Sequence, residues 1–438
     1  MKTRAIKRLL TATAITFATT DCALAAQEVA VTNSDMGGDT VPAMTAPPDW
    51  LHRDTLTGDW GGARTWLKEH GITLKPRLTQ FYQGLATGED NHDYQYGGKA
   101  DLLLNADLGK LGFWNGFSLT VHAEQNFGED ANGRGGTVAL LNTALFFPGM
   151  ENADYFDFSS VYLQQNFGDA VSLIAGKINM IDQASGTPFR GGAGIDSFWN
   201  GVFAATPRGA VPPYLMGALL SVRTEPATFG LLVYDPENKT NKTGFENFFT
   251  NGVGILGTAN FPVTIAGLGG HQGLTALYST EPGNDLEDIG DTLIPPFPQG
   301  APGIKNGRYN FAYYFDQYLY QSKANPKEGV GLFGQFGISD GNPNRLQFLA
   351  IAGVGGTGLI PGRSLDNWGV GYYYAGVSST LKDLLAPIVN IRNEQGVEVF
   401  YNFAMTPWFI LGADLQIIDP SLANETAVIP GLRTVIKF

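Results

Sequence analysis

The chain has 438 residues, 57 of them glycine, with 28 Phe, 17 Tyr, 7 Trp and a single cysteine. Its formal net charge is −13, and only 16% of its residues are charged, against roughly 25% in ordinary soluble domains. Its mean hydropathy is −0.06, and no apolar run approaches the roughly 18 residues of a membrane helix, so a helical membrane protein is excluded. The acid excess argues against a nucleic-acid partner, which needs a basic surface, and the aromatic content argues against disorder.

At the N-terminus, Lys2, Arg4, Lys7 and Arg8 precede a modestly apolar run, and Ala23-Leu24-Ala25 supplies an A-x-A site. Residues 1–25 are therefore expected to be a cleaved signal peptide that removes Cys22 and moves the net charge to about −16. A mature chain without cysteine excludes disulfides, thiolate metal sites and thiol nucleophiles. Residues 26–55 read as a flexible, proline-containing leader. A helix follows over Trp60–His70, with Asp59 as its N-cap and Gly71 at its C-terminus. At 1.5 Å per residue it is about 16 Å long, too short to span a bilayer. Trp60, Ala63 and Leu67 are expected to pack it against a barrel mouth on the periplasmic side.

From residue 72 onward, alternation replaces helical periodicity. Ile72–Gly84 sets Ile72, Leu74, Leu78 and Tyr82 against Lys75, Arg77, Thr79 and Gln83. Ala100–Leu108 sets alternate apolar residues against Asp101, Asn105 and Asp107, with Leu103 as an exception. Phe117–Phe127 is the clearest strand, with Ser118, Thr120, His122, Glu124 and Asn126 opposite its apolar face. Further strands are expected at Tyr309–Phe315, Val330–Ile338, Trp368–Tyr374, Val397–Met405, Phe409–Ile417 and Leu432–Phe438. Two glycine- and proline-rich stretches, 182–218 and 280–307, are too long for hairpin turns. The first carries Arg190, Asp196, Trp199 and Arg208, a mixture that suits either a loop narrowing a channel or a solvated surface loop. The second holds the acidic residues Asp285, Glu287, Asp288 and Asp291.

Alternation alone fits a soluble sandwich as well as a membrane barrel. Three features favour the barrel: aromatics near strand ends (Phe146-Phe147, Tyr372-Tyr373-Tyr374, Trp408-Phe409), a length that accommodates about 16 strands, and a final alternating strand ending on Phe438. The expectation is an all-β transmembrane antiparallel barrel over 72–438, with polar residues facing a lumen and apolar residues facing outer-membrane lipid.

Enzyme signatures do not survive their context. Gly252–Gly257 and Gly353–Gly358 fit G-x-G-x-x-G, but no helix follows either. Gly337-Ile338-Ser339-Asp340-Gly341 fits a nucleophile elbow, yet no histidine follows it, the last being His271. A turn before Asn342-Pro343 explains it better. The five histidines lack metal-ligand spacing, so neither metal nor cofactor is expected. Asn238-Lys239-Thr240 and Asn241-Lys242-Thr243 are formal glycosylation sequons and read as a polar loop. Asp101 and Asp107 could imitate a glycosidase pair but suit a polar lumen better.

Leu56-Thr57-Gly58-Asp59-Trp60-Gly61-Gly62-Ala63-Arg64, continuing to Leu67 and His70-Gly71-Ile72, resembles the opening of the carbohydrate-selective porins of the OprB type. Asp107-Leu108-Gly109-Lys110-Leu111, Gly176-Lys177-Ile178-Asn179 with Asp182, and Gly358-Leu359-Ile360-Pro361-Gly362-Arg363 with Asp366 are similar in the same order. So are Thr406-Pro407-Trp408 and the closing Gly431-Leu432-Arg433-Thr434. The resemblance runs from about residue 56 to the end and is loosest over 182–307. It implies a 16-stranded outer-membrane barrel passing small sugars by diffusion, matured by the outer-membrane barrel-assembly machinery through the strand ending in Phe438. Homo-oligomerisation stays open. Lys75, Arg77, Asp101, Asp107, His122, Glu124, Arg190 and Trp199 are the candidates for pore lining and sugar contact; ordinary lumen residues paired away from the narrowest point are the alternative. The other functions left open are a general or ion-selective pore, a barrel enzyme and a secreted lectin-like protein.

Overall fold

In lipid every backbone N–H and C=O must find a partner within the protein, which leaves a closed sheet as the solution for a chain of alternating strands. The computed structural model describes residues 49–146, 154–184, 186, 188–205, 211–288, 303–386 and 389–438. The expected signal peptide, most of the leader, Phe147, Arg208 and Asp291 lie outside them. Sixteen antiparallel strands close into one barrel, each hydrogen-bonded to its neighbours in sequence, with β1 joined to β16. The first five are β1 Ile72–Gly84, β2 Tyr94–Asp107, β3 Phe117–Gly128, β4 Tyr155–Phe167 and β5 Val171–Asn179. Next come β6 Tyr214–Arg223, β7 Thr228–Tyr234, β8 Gly254–Ile265, β9 Leu268–Asn284 and β10 Ile304–Gln321. The last six are β11 Gly329–Ser339, β12 Leu346–Thr357, β13 Asn367–Val377, β14 Glu394–Thr406, β15 Phe409–Asp419 and β16 Ala427–Lys437.

The connections sort by end. Tight or short turns such as 168–170, 224–227, 266–267 and 407–408 gather at one end, and long connections at 129–154, 180–213, 235–253, 285–303 and 378–393 at the other. Strand faces follow the two-residue period. On β4, Phe156, Phe158, Val161 and Leu163 are exposed outward, while Asp157, Ser159 and Ser160 are buried inside. A bulge between His122 and Ala123 makes Ser159 the extra residue and turns both serines inward; two residues opposing one is what a bulge does.

Several details differ from expectation. The long loops are narrower, because 214–218 belong to β6, 280–284 to β9 and 304–307 to β10. The long connections at 129–154, 235–253 and 378–393 were not anticipated. Tyr373 and Phe146 are buried inside rather than set in an interfacial girdle, whereas Tyr372 faces outward. Gly254 begins β8, and Gly353 lies within β12. A Cβ on Gly353 would meet the Phe333 ring, so these glycines make room for aromatics.

The N-terminal helix splits into a 3₁₀ turn at Trp60–Gly62 and an α-helix at Ala63–Glu69, broken at Gly61 and Gly62, which both have positive φ. Gly62, not Asp59, holds the N-cap position of the α-helix; Asp59 acts from outside the turn, accepting from the Thr65 N–H at 2.9 Å and its hydroxyl at 2.8 Å. Trp60 and Ala63 are exposed and Leu67 is half-buried, so the expected apolar packing does not form. Polar contacts hold the segment instead. Arg64 donates to the Phe438 carbonyl at 2.8 Å and Leu56 N–H to the Lys437 carbonyl. Trp408 Nε1 donates to the Trp50 carbonyl. The segment is thereby tied to the short-turn end of the barrel.

Candidate pore lining and the infolded loops

Pairing register brings the charges of the first three strands together. Arg77 lies opposite Asp101, and Asp101 opposite Glu124. Arg77 binds Asp101 through two hydrogen bonds, Nε to Oδ2 at 3.1 Å and Nη2 to Oδ1 at 3.0 Å, the paired geometry a guanidinium favours. His122 sits between acids, with Nε2 3.4 Å from Asp101 and Nδ1 2.6 Å from Asp182. Lys99 is paired with Glu124, which also receives Asn179 Nδ2 at 3.3 Å and the Tyr214 hydroxyl at 3.4 Å. The deep members are closed to solvent: side-chain exposure is 2% for Asp101, 4% for His122 and 0% for Glu124. The shallow ones are open, with 23% for Arg77, 29% for Asp182 and 46% for Asp196. Arg77 Nη1 and Asp196 Oδ2 are 3.6 Å apart. Arg77, Asp182 and Asp196 are thus the more exposed members, with Asp101 behind Arg77, His122 behind Asp182, and Asp196 set against Arg77.

The other candidates separate from this cluster. Lys75 is exposed on the Arg77 face, nearer the short turns. Asp107 serves the 108–116 turn: its N–H donates to the Gly71 carbonyl at 2.7 Å and its Oδ1 accepts from the Lys110 N–H at 3.2 Å. Arg190 and Trp199 are buried within the loop between β5 and β6. Arg190 donates to Gln335 of β11 at 3.1 Å. Trp199 lies edge-on to Phe81 with ring centroids 5.1 Å apart, and the Arg433 guanidinium is 5.0 Å from its ring. Both side chains anchor the loop and leave no surface for a solute.

That loop folds into the barrel. Phe198 stacks edge-on with Phe400 and Phe333, at 4.7 and 5.5 Å between centroids, and Phe203 with Tyr373 at 5.9 Å. Glycines on the inner wall provide the space. A Cβ on Gly431 would lie 2.5 Å from the Trp199 ring, on Gly371 2.6 Å from Phe203 and on Gly369 2.7 Å from Phe198. Behind the helical turn at Met180–Ala184, the wall is itself apolar. Ile174, Leu219, Leu232, Leu256 and Leu277, on five successive strands, are buried in one cluster with Met180, Ile181 and Val211.

The loop between β3 and β4 joins the plug. Thr143 N–H donates to the Trp199 carbonyl and Gly201 N–H to the Leu140 carbonyl, both at 2.8 Å. Asp130 on this loop is pushed up to about 6 by burial, against the opposing hydrogen bonds from Asn132.

A closed sixteen-stranded barrel, long loops turned inward at one end and a half-exposed charged patch below them describe a diffusion pore. The family model for the carbohydrate-selective porins, OprB family, matches residues 91–438. The chain belongs to that family. It is 22% identical over 446 residues to the putative porin QuiX of Acinetobacter baylyi, spanning 90% of this chain and 96% of the other. The high-pH structure of Pseudomonas putida OprB superimposes with a TM-score of 0.77 at 19% identity, covering 89% of this chain and 99% of that one. Its low-pH structure gives 0.55 at 17% identity over the same shares. The porin is accordingly an outer-membrane channel of Gram-negative type, and passive diffusion follows from its fold.

The family resemblance also gains a physical account. Gly358 and Gly362, both at positive φ, shape the turn in which Arg363 binds Asp366 at 2.8 and 2.9 Å and lies 3.5 Å over the Phe403 ring. Asp366 further accepts from the Tyr401 hydroxyl at 2.6 Å and the Ala404 N–H at 2.9 Å. These motif residues build the barrel's short-turn end and lie away from the charged patch.

Proposed function

We propose that this porin passes small neutral carbohydrates in preference to ions, using Arg77, Asp182 and Asp196 as the contact surface of its narrow section. The single observation that carries this reading is the layered charge cluster, in which buried Asp101 and His122 hold Arg77 and Asp182, and Asp196 faces Arg77. A sugar presents many hydroxyls that both donate and accept. Arg77 offers fixed donors, and Asp182 and Asp196 offer acceptors, so a sugar can exchange hydrogen bonds step by step as it moves. Because these charges are already paired, a small ion gains less there than at an isolated charge. Binding must remain weak enough for release, and exposed groups in water provide that weakness.

Export through cleavage of residues 1–25, a periplasmic position for the Trp60–Glu69 segment and assembly through the strand ending in Phe438 complete the proposal. The short turns and the N-terminal segment share one end of the barrel, which supports the orientation. Conductance of the purified protein in planar bilayers, titrated with glucose, maltose and a charged solute, tests the reading. Sugar-dependent block supports it. Pores insensitive to sugar would replace it with a general or ion-selective diffusion pore of the same fold.

A further inference from the structure

The interior wall of β14 to β16 holds the infolded loops mainly by their main chain. Glu394 accepts the N–H groups of two successive loop residues, Val138 at 2.7 Å and Ala139 at 2.9 Å. Four residues along the same strand, Glu398 does the same for the other loop, accepting Trp199 N–H at 2.5 Å and Asn200 N–H at 3.1 Å. The two-residue strand period puts both carboxylates on the lumen face, about 13 Å apart. Neighbouring side chains repeat the pattern with loop carbonyls. Arg433 donates to Gly194 at 2.7 Å and Ser197 at 3.1 Å, Asn402 to Asp196 at 2.9 Å, and Gln416 to Leu141 at 2.8 Å.

Burying a carboxylate is costly unless its oxygens are satisfied, and apolar packing already keeps these loops inside the barrel. What two carboxylates add is position: each fork fixes two consecutive peptide planes. One of those planes adjoins the segment that carries Asp196 to Arg77. We propose that Glu394 and Glu398 are positioning residues that set the width of the passage, clamping both loops through their backbone N–H groups. This rests on the reading that solutes pass the Arg77 patch. It goes further by making the cross-section depend on two acids of the wall, in addition to the loops' own side chains.

The test reads size as well as sugar. Single-channel conductance and the size cut-off for neutral polyethylene glycols are measured for the full-length porin, for Glu398→Ala, Glu398→Gln and Glu394→Ala, and for the double alanine variant. Heat-modifiable migration serves as the check that the barrel has formed, and Glu398→Gln substitutes wherever truncation prevents folding. Glu225→Ala, in the 224–227 turn at the opposite end, is the control and is expected to behave as wild type. The expected result is a rise of about twofold or more in conductance with a larger cut-off, greatest in the double variant and smallest in Glu398→Gln. Folded variants with unchanged conductance and cut-off would overturn the clamp. Wider variants of a wild type that shows no sugar block would support the clamp while refuting the sugar reading.

Discussion

Arg77 is held from two sides, by Asp101 on the neighbouring strand and by Asp196 on the infolded loop, and keeps part of its guanidinium toward the lumen. Replacing it with alanine should weaken sugar block about threefold, equivalent to ~0.7 kcal/mol, the size of one solvent-exposed hydrogen bond. Block titration in planar bilayers measures this, and an unchanged block constant would remove Arg77 from the contact surface. Strand parity made this part of the cluster legible. The two-residue period puts Arg77, Asp101, His122 and Glu124 on one face once their strands are recognised. Asp196 was visible only as a charge in a loop, and Asp182 only as part of a motif, because nothing local states which wall a loop will reach. Trp199 and Arg190 carried the chemistry of a sugar contact, but their position in a folded loop made them anchors. Glu394 and Glu398 gave no signal, and Arg433 appeared only within the closing motif, since an acid or base on a strand looks the same whether it binds a solute or a peptide plane.

At Asp366 a pH dependence is predicted that belongs to one residue. Burial raises its pKa, but hydrogen bonds from Arg363, Tyr401 and the Ala404 N–H outweigh that, so it sits below the ordinary carboxylate range. A lowered folded value means its stabilising contribution is complete above the unfolded pKa of about 4 and disappears as pH falls through the folded value. Thermal unfolding of Asp366→Asn in detergent should therefore show a lowered midpoint at neutral pH, by the ~1–3 kcal/mol of an unsatisfied buried group. That gap should close in strong acid. A gap constant across the whole range would contradict the assignment.

Strands were readable where their two faces differ. β1 and β3 alternate apolar and polar side chains, and their expected limits match Ile72–Gly84 and Phe117–Gly128 closely. β4 to β9 and β12 were not anticipated, and for β5 to β9 the reason is physical. Ile174, Leu219, Leu232, Leu256 and Leu277 face inward against the infolded loop, so an apolar residue interrupts the polar inner face of each of these strands, beside Ser172, Ser221, Asn260, Thr275 and Ser279, and the contrast weakens. The connection at 129–154 was missed for a related reason, since Val138, Ala139, Leu140 and Leu141 resemble a strand while packing as a plug. At the other end, the N-terminal segment is tied to the closing strand by a few polar contacts and buries no residue of its helix. Deleting residues 26–70 should leave a heat-modifiable barrel, which gel mobility with and without heating would show. Complete loss of that shift would make the segment part of the folding core.

Across the whole molecule, low charge, abundant glycine and neutral hydropathy reduce to one design. Lipid-facing apolar residues offset lumen-facing polar ones. Glycines on the inner wall clear space for Phe198, Phe203 and Trp199, and charged side chains build both the patch around Arg77 and the anchors of the infolded loops. The central claim is that neutral sugars bind weakly at that patch as they cross. Single-channel conductance under a graded series of glucose, maltose and a charged solute tests it most directly. Concentration-dependent block by the sugars, reduced in Arg77→Ala and absent for the charged solute, is the predicted result. Open pores whose current ignores both sugars at every concentration would contradict it.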